Sequence, residues 1–136
     1  MSHSPLRYLQ SFRWAYNVDV TTTGKHNVAS SMWITRSGAT SSSPSAQDIA
    51  TEFMIWSRGQ DFNPGGQMIA TATIGTQSFE VWYAQDWGDV SGANPNKWSY
   101  VAYRAVNGST AVDLDIKAIV DDAVSRGLVK DRKSVV

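Results

Sequence analysis

The chain has 136 residues, of which 42% are hydrophobic, 11% aromatic and 18% charged, and its 12 basic residues balance its 12 acidic ones. These proportions are typical of one globular domain, and the balanced charge gives no basic field that would attract nucleic acid or an anionic membrane surface. The lack of cysteine excludes disulfides and thiolate metal sites, and the only imidazoles are those of His3 and His26. We therefore expect no metal, no cofactor and no nucleic-acid partner.

Apolar residues recur with a period of two over most of the chain. This pattern predicts strands at residues 11–17, 26–35, 50–57, 67–74, 78–84 and 98–105. Turn residues separate the strands, in the Ser-rich segment 37–48, at 63–66 (NPGG) and at 75–77 (GTQ). Residues 86–97 are predicted to form a longer loop that carries Trp87. Short strands at this spacing indicate a β-sandwich.

One segment has a helical period instead. Its apolar residues fall at i, i+3, i+4, i+7 and i+8, namely Ile116, Ile119, Val120, Ala123 and Val124. The pattern predicts one short amphipathic helix near residues 114–126, with Asp113 or Asp115 as its cap and Gly127 at its end. Its charges mark a solvated face, so we expect a helix that packs on a sheet. No apolar run approaches the roughly 20 residues of a membrane span.

The strand TEFMIW (51–56) places a carboxylate among large apolar residues. Because side chains alternate between the faces of a strand, Glu52, Met54 and Trp56 share one face, while Phe53 and Ile55 share the other. Phe53 and Ile55 are expected in the core. An acid, a thioether and an indole side by side are typical of the floor of a sugar-binding groove, and the six Trp and five Tyr of the chain favour that interpretation.

Four motifs in this order resemble glycoside hydrolase family 12: EFMIW, then NPGGQMIATATIG with SFEVWYA, then WSYVAYR, then VDLDIKAIVDDAVSRGLV. That family contains secreted endo-β-1,4-glucanases and xyloglucanases. The resemblance implies an all-β fold, a partial β-jelly-roll sandwich of two curved antiparallel sheets with a long cleft for glucan. It also implies hydrolysis with retention of anomeric configuration, with Glu52 at the position of the nucleophile. The substrate-binding residues expected from the resemblance and from the shared strand faces are Met54, Trp56, Trp82 and Trp87.

The second carboxyl group that a retaining mechanism needs has no counterpart at the family's position, which lies in a strand after the helix. Glu80 shares a face with Trp82 and is one candidate for the acid, although an exposed strand glutamate is the simpler interpretation. Asp86 and Asp89 are weaker candidates, because aspartates in loops usually stabilise turns. Ser31 stands where the family often carries an aspartate that is bonded to the nucleophile, and a serine hydroxyl retains the ability to donate a hydrogen bond.

The expected domain arrangement is a disordered segment at 1–9, a family 12-like sandwich at 10–130 and an aberrant tail at 131–136. The function expected from the resemblance is endo-acting hydrolysis of a β-1,4-glucan, whether cellulose, xyloglucan or mixed-linkage glucan. The alternative is an inactive remnant that binds glucan or a protein partner of the intact enzyme. The resemblance and the sequon at Asn107 are consistent with secretion, although the first 12 residues lack the apolar core of a signal peptide. Uncovered sheet edges predict self-association.

Overall fold

The computed structural model describes residues 13–17, 26–35, 49–60, 62–88, 97–107, 111–129 and 134–135. Within these ranges the chain forms eight strands and one helix. The elements are β1 (Arg13–Asn17), β2 (His26–Thr35), β3 (Ile49–Gln60), β4 (Gln67–Ile74), β5 (Gln77–Gly88), β6 (Lys97–Ala105), β7 (Ala111–Asp115), α1 (Ile116–Ser125) and β8 (Ser134–Val135). The predicted segment 1–9, the Ser-rich loop 37–48 and Asp89 lie outside the described residues.

Six strands form one sheet in the order β4-β5-β6-β3-β2-β8, and β1 pairs with β7 in a separate two-stranded sheet. The expectation of antiparallel sheets is wrong at one place, because β3 and β6 are parallel, with Glu52 opposite Tyr100. The chain leaves β3, forms the antiparallel hairpin of β4 and β5, and returns beside β3 as β6. A connection of this length allows parallel pairing, which a tight hairpin does not.

Several predicted boundaries differ from the structure, and three of the differences change the type of element to which a residue belongs. Trp87 lies in β5, not in a loop, because a register shift between Ala84 and Trp87 lets the pairing with β6 continue. Residues 111–115, predicted partly as helix, form β7, whose Val112 and Leu114 alternate with aspartates. Two residues of the predicted aberrant tail form β8 and pair with Ile34 and Thr35 of β2.

The residues that flank the helix cap its first turn and stop its last turn. Asp115 is the N-cap, and its Oδ1 accepts a hydrogen bond from the Ala118 backbone N–H at 3.0 Å. Gly127 has a φ of 75°, and Leu128 N donates to the carbonyl of Ala123 at 3.0 Å, as in a glycine-terminated helix. No helix among the described residues is long and apolar enough to cross a membrane.

The core lies between the helix and one face of the six-stranded sheet. The helix buries Ile116, Ile119, Val120 and Ala123 in the same cluster as the strand residues Phe53, Ile55, Val81, Val101 and Tyr103. Phe53 and Ile55 are fully buried, as the alternation in TEFMIW predicts. Tyr103 also donates a hydrogen bond to Asp122 Oδ2 at 2.5 Å, which ties the sheet to the helix.

The opposite face of the sheet carries a second cluster. Trp56, Tyr100 and Ala102 are buried there, and Met54, Trp82 and Trp87 pack against them. We call this face, with Glu52 on it, the aromatic face. Apolar side chains therefore cover both faces of the central strands β3 and β6.

Candidate active site

Glu52 lies in the middle of the sheet, opposite Trp33 of β2 and Tyr100 of β6. Its side chain is half-buried, and its Oε2 accepts a hydrogen bond from Trp98 Nε1 at 3.2 Å. Burial raises the pKa of Glu52 above its ordinary value of 4.5, while hydrogen bonds from the indoles of Trp98 and Trp87 act in the opposite direction. Glu52 is thus a carboxyl group in a largely apolar setting with neutral N–H donors aimed at it.

Tyr100 connects Glu52 to the rest of the aromatic face. Its hydroxyl donates to Met54 Sδ at 3.4 Å, and its ring lies 4.9 Å from the Trp87 ring, centroid to centroid. Burial raises the pKa of Tyr100, and the charge of Glu52 adds to that effect. The Trp87 indole covers Gly65, where an added Cβ would lie 2.6 Å from the ring. A side chain at position 65 would therefore displace Trp87.

Trp56 occupies the aromatic face but is almost completely covered. Only 3% of its surface is exposed, and its ring lies 5.6 Å from that of Phe62, which is 48% exposed. The Trp56 indole N–H has no hydrogen-bond partner within the part of the chain that the structure describes. The ring that reaches solvent at this position is therefore that of Phe62, a residue that did not stand out in the sequence.

Glu80 and Arg104 form an ion pair farther along the same face. Arg104 Nε and Nη2 donate to Glu80 Oε1 at 2.9 and 2.6 Å, and Trp82 Nε1 donates to the same oxygen at 3.0 Å. The Arg104 guanidinium also lies 5.3 Å from the centroid of the Trp82 ring. Both acceptor and donor are part-buried, so Glu80 is a structural partner of Arg104.

Glu80 does not lie within reach of Glu52, contrary to the possibility raised by their shared face. Glu52 is opposite Tyr100, whereas Glu80 is opposite Arg104, four residues along β6. Four residues of strand span about 13 Å, and β6 itself lies between the two glutamates. The carboxyl groups of a retaining glycosidase are only about 5–5.5 Å apart. The geometry excludes Glu80 as the acid partner of Glu52 in this arrangement.

The remaining predicted polar residues are peripheral. Ser31 is exposed and lies opposite Met54, not Glu52. Among the described residues, the hydrogen bonds to the Glu52 carboxylate come from indoles. Asp86 is exposed in the irregular part of β5, two strands from Glu52. Among the described residues no group of three His, Cys, Asp or Glu side chains could hold a metal ion.

Sequence reasoning missed Trp98, Tyr100 and Arg104, although a signal was present. In WSYVAYR these residues alternate with Ser99, Val101 and Tyr103, and the two sets point to opposite faces. The alternation alone does not reveal that β6 lies beside β3. Only the parallel pairing places the aromatic set beside Glu52.

Comparison with known proteins gives the decisive observation. A family model described as glycosyl hydrolase family 12 matches residues 8–135. The chain belongs to this family. A curated protein, Endoglucanase A of Aspergillus kawachii (strain NBRC 4308), is 42% identical over 57 residues, which cover 41% of this chain and 23% of that protein.

Two solved endoglucanase structures, the first described as glycoside hydrolase family 12, extend the likeness to nearly the whole chain. A metagenome-derived endoglucanase is 29% identical with a TM-score of 0.78, and the match covers 97% of this chain and 54% of the other. Endoglucanase cel12A from Rhodothermus marinus is 32% identical with a TM-score of 0.75, over 97% of this chain and 55% of the other. The likeness confirms the predicted jelly-roll class. The chain spans about half the length of these solved structures.

Proposed function

We propose that this chain carries the nucleophile of an endo-acting, retaining β-1,4-glucan hydrolase, and that the nucleophile is Glu52. The observation that carries the proposal is the setting of Glu52, half-buried on the aromatic face with Trp98 Nε1 at 3.2 Å. A nucleophilic carboxylate must be held in one orientation, and a neutral N–H donor does this without cancelling its charge. The names of its relatives, endoglucanases, support the same reaction class.

In the proposed reaction a Glu52 oxygen attacks the anomeric carbon, and the bond from that carbon to the leaving oxygen breaks. A glycosyl-enzyme ester forms, and water later hydrolyses it. Met54, Trp82 and Trp87 contribute to the floor beneath the sugars, since indole faces stack on the C–H face of glucose. Trp56 supports the floor from beneath Phe62. The carboxylate charge of Glu52 is consumed in the ester and restored by hydrolysis.

Protonation of the leaving oxygen is the step for which this chain offers no glutamate. Glu80 is the only glutamate besides Glu52, and it is bound to Arg104 about 13 Å away along the sheet. Positioned acid catalysis contributes about 10²–10⁴-fold to such reactions. We therefore expect this chain to hydrolyse β-glucan at less than about one-hundredth of the rate of a family member that has both carboxyl groups.

The same observation favours a second candidate function, a remnant that binds glucan or a protein partner of the intact enzyme without hydrolysis. The aromatic face would then retain its affinity for sugar while Glu52 performs no chemistry. We further propose that the protein acts outside the cell and that its glucan is cellulose, xyloglucan or mixed-linkage glucan. Binding assays with cellulose, xyloglucan and barley β-glucan would rank the three polysaccharides.

The test is covalent labelling with 2,4-dinitrophenyl 2-deoxy-2-fluoro-β-cellobioside, whose leaving group needs no protonation. We expect intact-protein mass spectrometry to show one added 2-deoxy-2-fluorocellobiosyl group, and peptide mapping to place it on Glu52. Glu52→Gln is expected to remain unlabelled. Glu80→Gln tests the excluded alternative, and it is expected to label like the wild type. Failure of the folded wild-type chain to label, with retained binding of cellobiose, would favour the remnant.

A further inference from the structure

Resting on the proposed function, we propose that Phe62 is a sugar-stacking position at one end of the glucan groove and that Arg104 holds it there. The proposal adds a binding position to the aromatic face, occupied by a glucose ring of a longer β-1,4-linked oligosaccharide. It is based on the exposure of Phe62, on the hydrogen bonds from Arg104 to the segment that carries Phe62, and on the distance between Phe62 and Glu52.

Exposure decides which ring a sugar can touch. Trp56 shares the face of Glu52, but only 3% of its surface is exposed. Phe62 lies against the Trp56 ring at 5.6 Å with an angle of 37° between the planes, and 48% of Phe62 is exposed. A large apolar side chain that is half exposed and backed by a buried indole is a preformed surface for the C–H face of a sugar. Trp56 thus acts as the support and Phe62 as the contact.

Arg104 fixes the chain segment that carries Phe62. Its Nη1 donates to the Phe62 carbonyl oxygen at 3.0 Å and to Asn63 Oδ1 at 2.9 Å. Its Nε and Nη2 donate to Glu80, which also accepts from Trp82. The guanidinium is planar and rigid, so it bridges the two sides in one geometry. Lysine, a flexible single ammonium, cannot make these four contacts together.

The distance from Glu52 predicts which ligands use this position. Trp56 is four residues from Glu52 along β3, so the Trp56 and Phe62 pair lies about 13 Å from the site of reaction, roughly two sugar rings away. Cellobiose bound at Glu52 would be too short to cover the Phe62 ring. Cellopentaose would cover it. Phe62 is therefore expected to contribute affinity for long oligosaccharides and little for short ones.

The experiment is calorimetric titration of the chain with cellobiose and with cellopentaose. Phe62→Ala is expected to weaken cellopentaose binding about three- to tenfold and to leave cellobiose binding unchanged. Phe62→Trp, which restores an aromatic ring, is expected to recover the cellopentaose affinity. Arg104→Lys keeps the charge but releases the segment, and it is expected to reproduce the loss seen in Phe62→Ala. Ile69→Ala is the matched control, because Ile69 is also 48% exposed but lies in β4, with β5 and β6 between it and β3.

The outcomes separate this inference from the proposed function. Equal cellopentaose affinity in wild type and Phe62→Ala would overturn the inference, even if Glu52 is labelled by the fluorosugar. Equal losses for cellobiose and cellopentaose would also overturn it, since they would indicate a general disturbance of the groove. A wild-type chain that binds neither sugar would contradict both proposals. Thermal melts of each variant identify any that fail to fold. If Phe62→Ala does so, Asn63→Ala takes its place, because it removes one of the two acceptors through which Arg104 holds the segment. It is expected to weaken cellopentaose binding but not cellobiose binding, and an unchanged cellopentaose affinity would overturn the inference.

Discussion

Trp98 donates its indole N–H to Glu52 Oε2 at 3.2 Å, and the Trp98 and Trp33 rings form a T-shaped pair at a centroid distance of 5.7 Å. Trp98 lies in β6 and Trp33 in β2, the two strands that flank β3. The contact with Trp33 thereby helps to hold Trp98 against Glu52. In this chain an indole, and not a carboxylate at position 31, orients the proposed nucleophile.

Trp98→Phe tests the contribution of this hydrogen bond. The phenyl ring keeps most of the packing but removes the N–H donor, so the carboxylate of Glu52 loses a stabilising partner and its pKa rises. The rate of fluorosugar labelling falls as Glu52 becomes protonated. We expect this fall to occur at a higher pH in the variant than in the wild type. Trp82→Phe is the control, because it removes an indole N–H that is bonded to Glu80 instead. An identical pH profile for wild type and Trp98→Phe would contradict this role.

Glu52→Gln is expected to stabilise the protein at neutral pH. Burial raises the pKa of Glu52, so the folded state favours the protonated carboxyl and loses stability as the pH rises from below 4.5 through the folded-state pKa. The amide carries no charge and retains an oxygen that accepts from Trp98. Urea denaturation should show a higher midpoint for Glu52→Gln at pH 7 and nearly equal midpoints at pH 4. A lower midpoint at pH 7 would show that the carboxylate is better accommodated than its burial indicates.

Gly65→Ala is expected to disturb the aromatic face. The added methyl would lie 2.6 Å from the Trp87 ring, and overpacking of this kind typically costs about 1–3 kcal/mol of unfolding free energy. The Trp87 indole must shift from its present contact with Tyr100, which would change the near-ultraviolet circular dichroism. Gly75→Ala is the comparison, since its Cβ meets nothing within 4 Å and its cost arises from a φ of 63°. An unchanged aromatic spectrum in Gly65→Ala would show that Trp87 is not held in this position.

Tyr103→Phe removes the hydrogen bond between the sheet and the helix. We expect a loss of about 1–2 kcal/mol of unfolding free energy at neutral pH. Burial alone would raise the pKa of Asp122, but hydrogen bonds from Arg126 and Tyr103 outweigh it and lower that pKa. The stabilisation is therefore present above the unfolded-state pKa of Asp122 and is lost as the pH falls through the folded-state pKa. Equal acid sensitivity in wild type and variant would argue against this coupling.

Self-association is expected through the edge strand β4. This strand stands at one end of the sheet, and Met68 and Ile69 are 45% and 48% exposed. Thr73 is also exposed there, and a lysine at an edge position opposes pairing with another chain. Size-exclusion chromatography should show a concentration-dependent shift for the wild-type chain that is reduced in Thr73→Lys. A monomeric wild-type chain at all concentrations would refute the prediction.

The sequence by itself determined the local features of this protein. The period of two in TEFMIW placed Phe53 and Ile55 in the core and Glu52 on the other face, since alternation is a property of any extended strand. The helix and its end at Gly127 followed from apolar spacing and from the tolerance of glycine for a positive φ. The family motifs supplied the jelly-roll class.

Only the tertiary structure decided which residues meet across strands. The parallel pairing of β3 with β6 brings Trp98 and Tyr100 to Glu52, and it places Glu80 beside Arg104, far from Glu52. The burial of Trp56 under Phe62 depends on the path of the segment after β3, which apolar periodicity does not describe. Strand order and register result from contacts between residues distant in sequence, so the alternation within one strand cannot predict them.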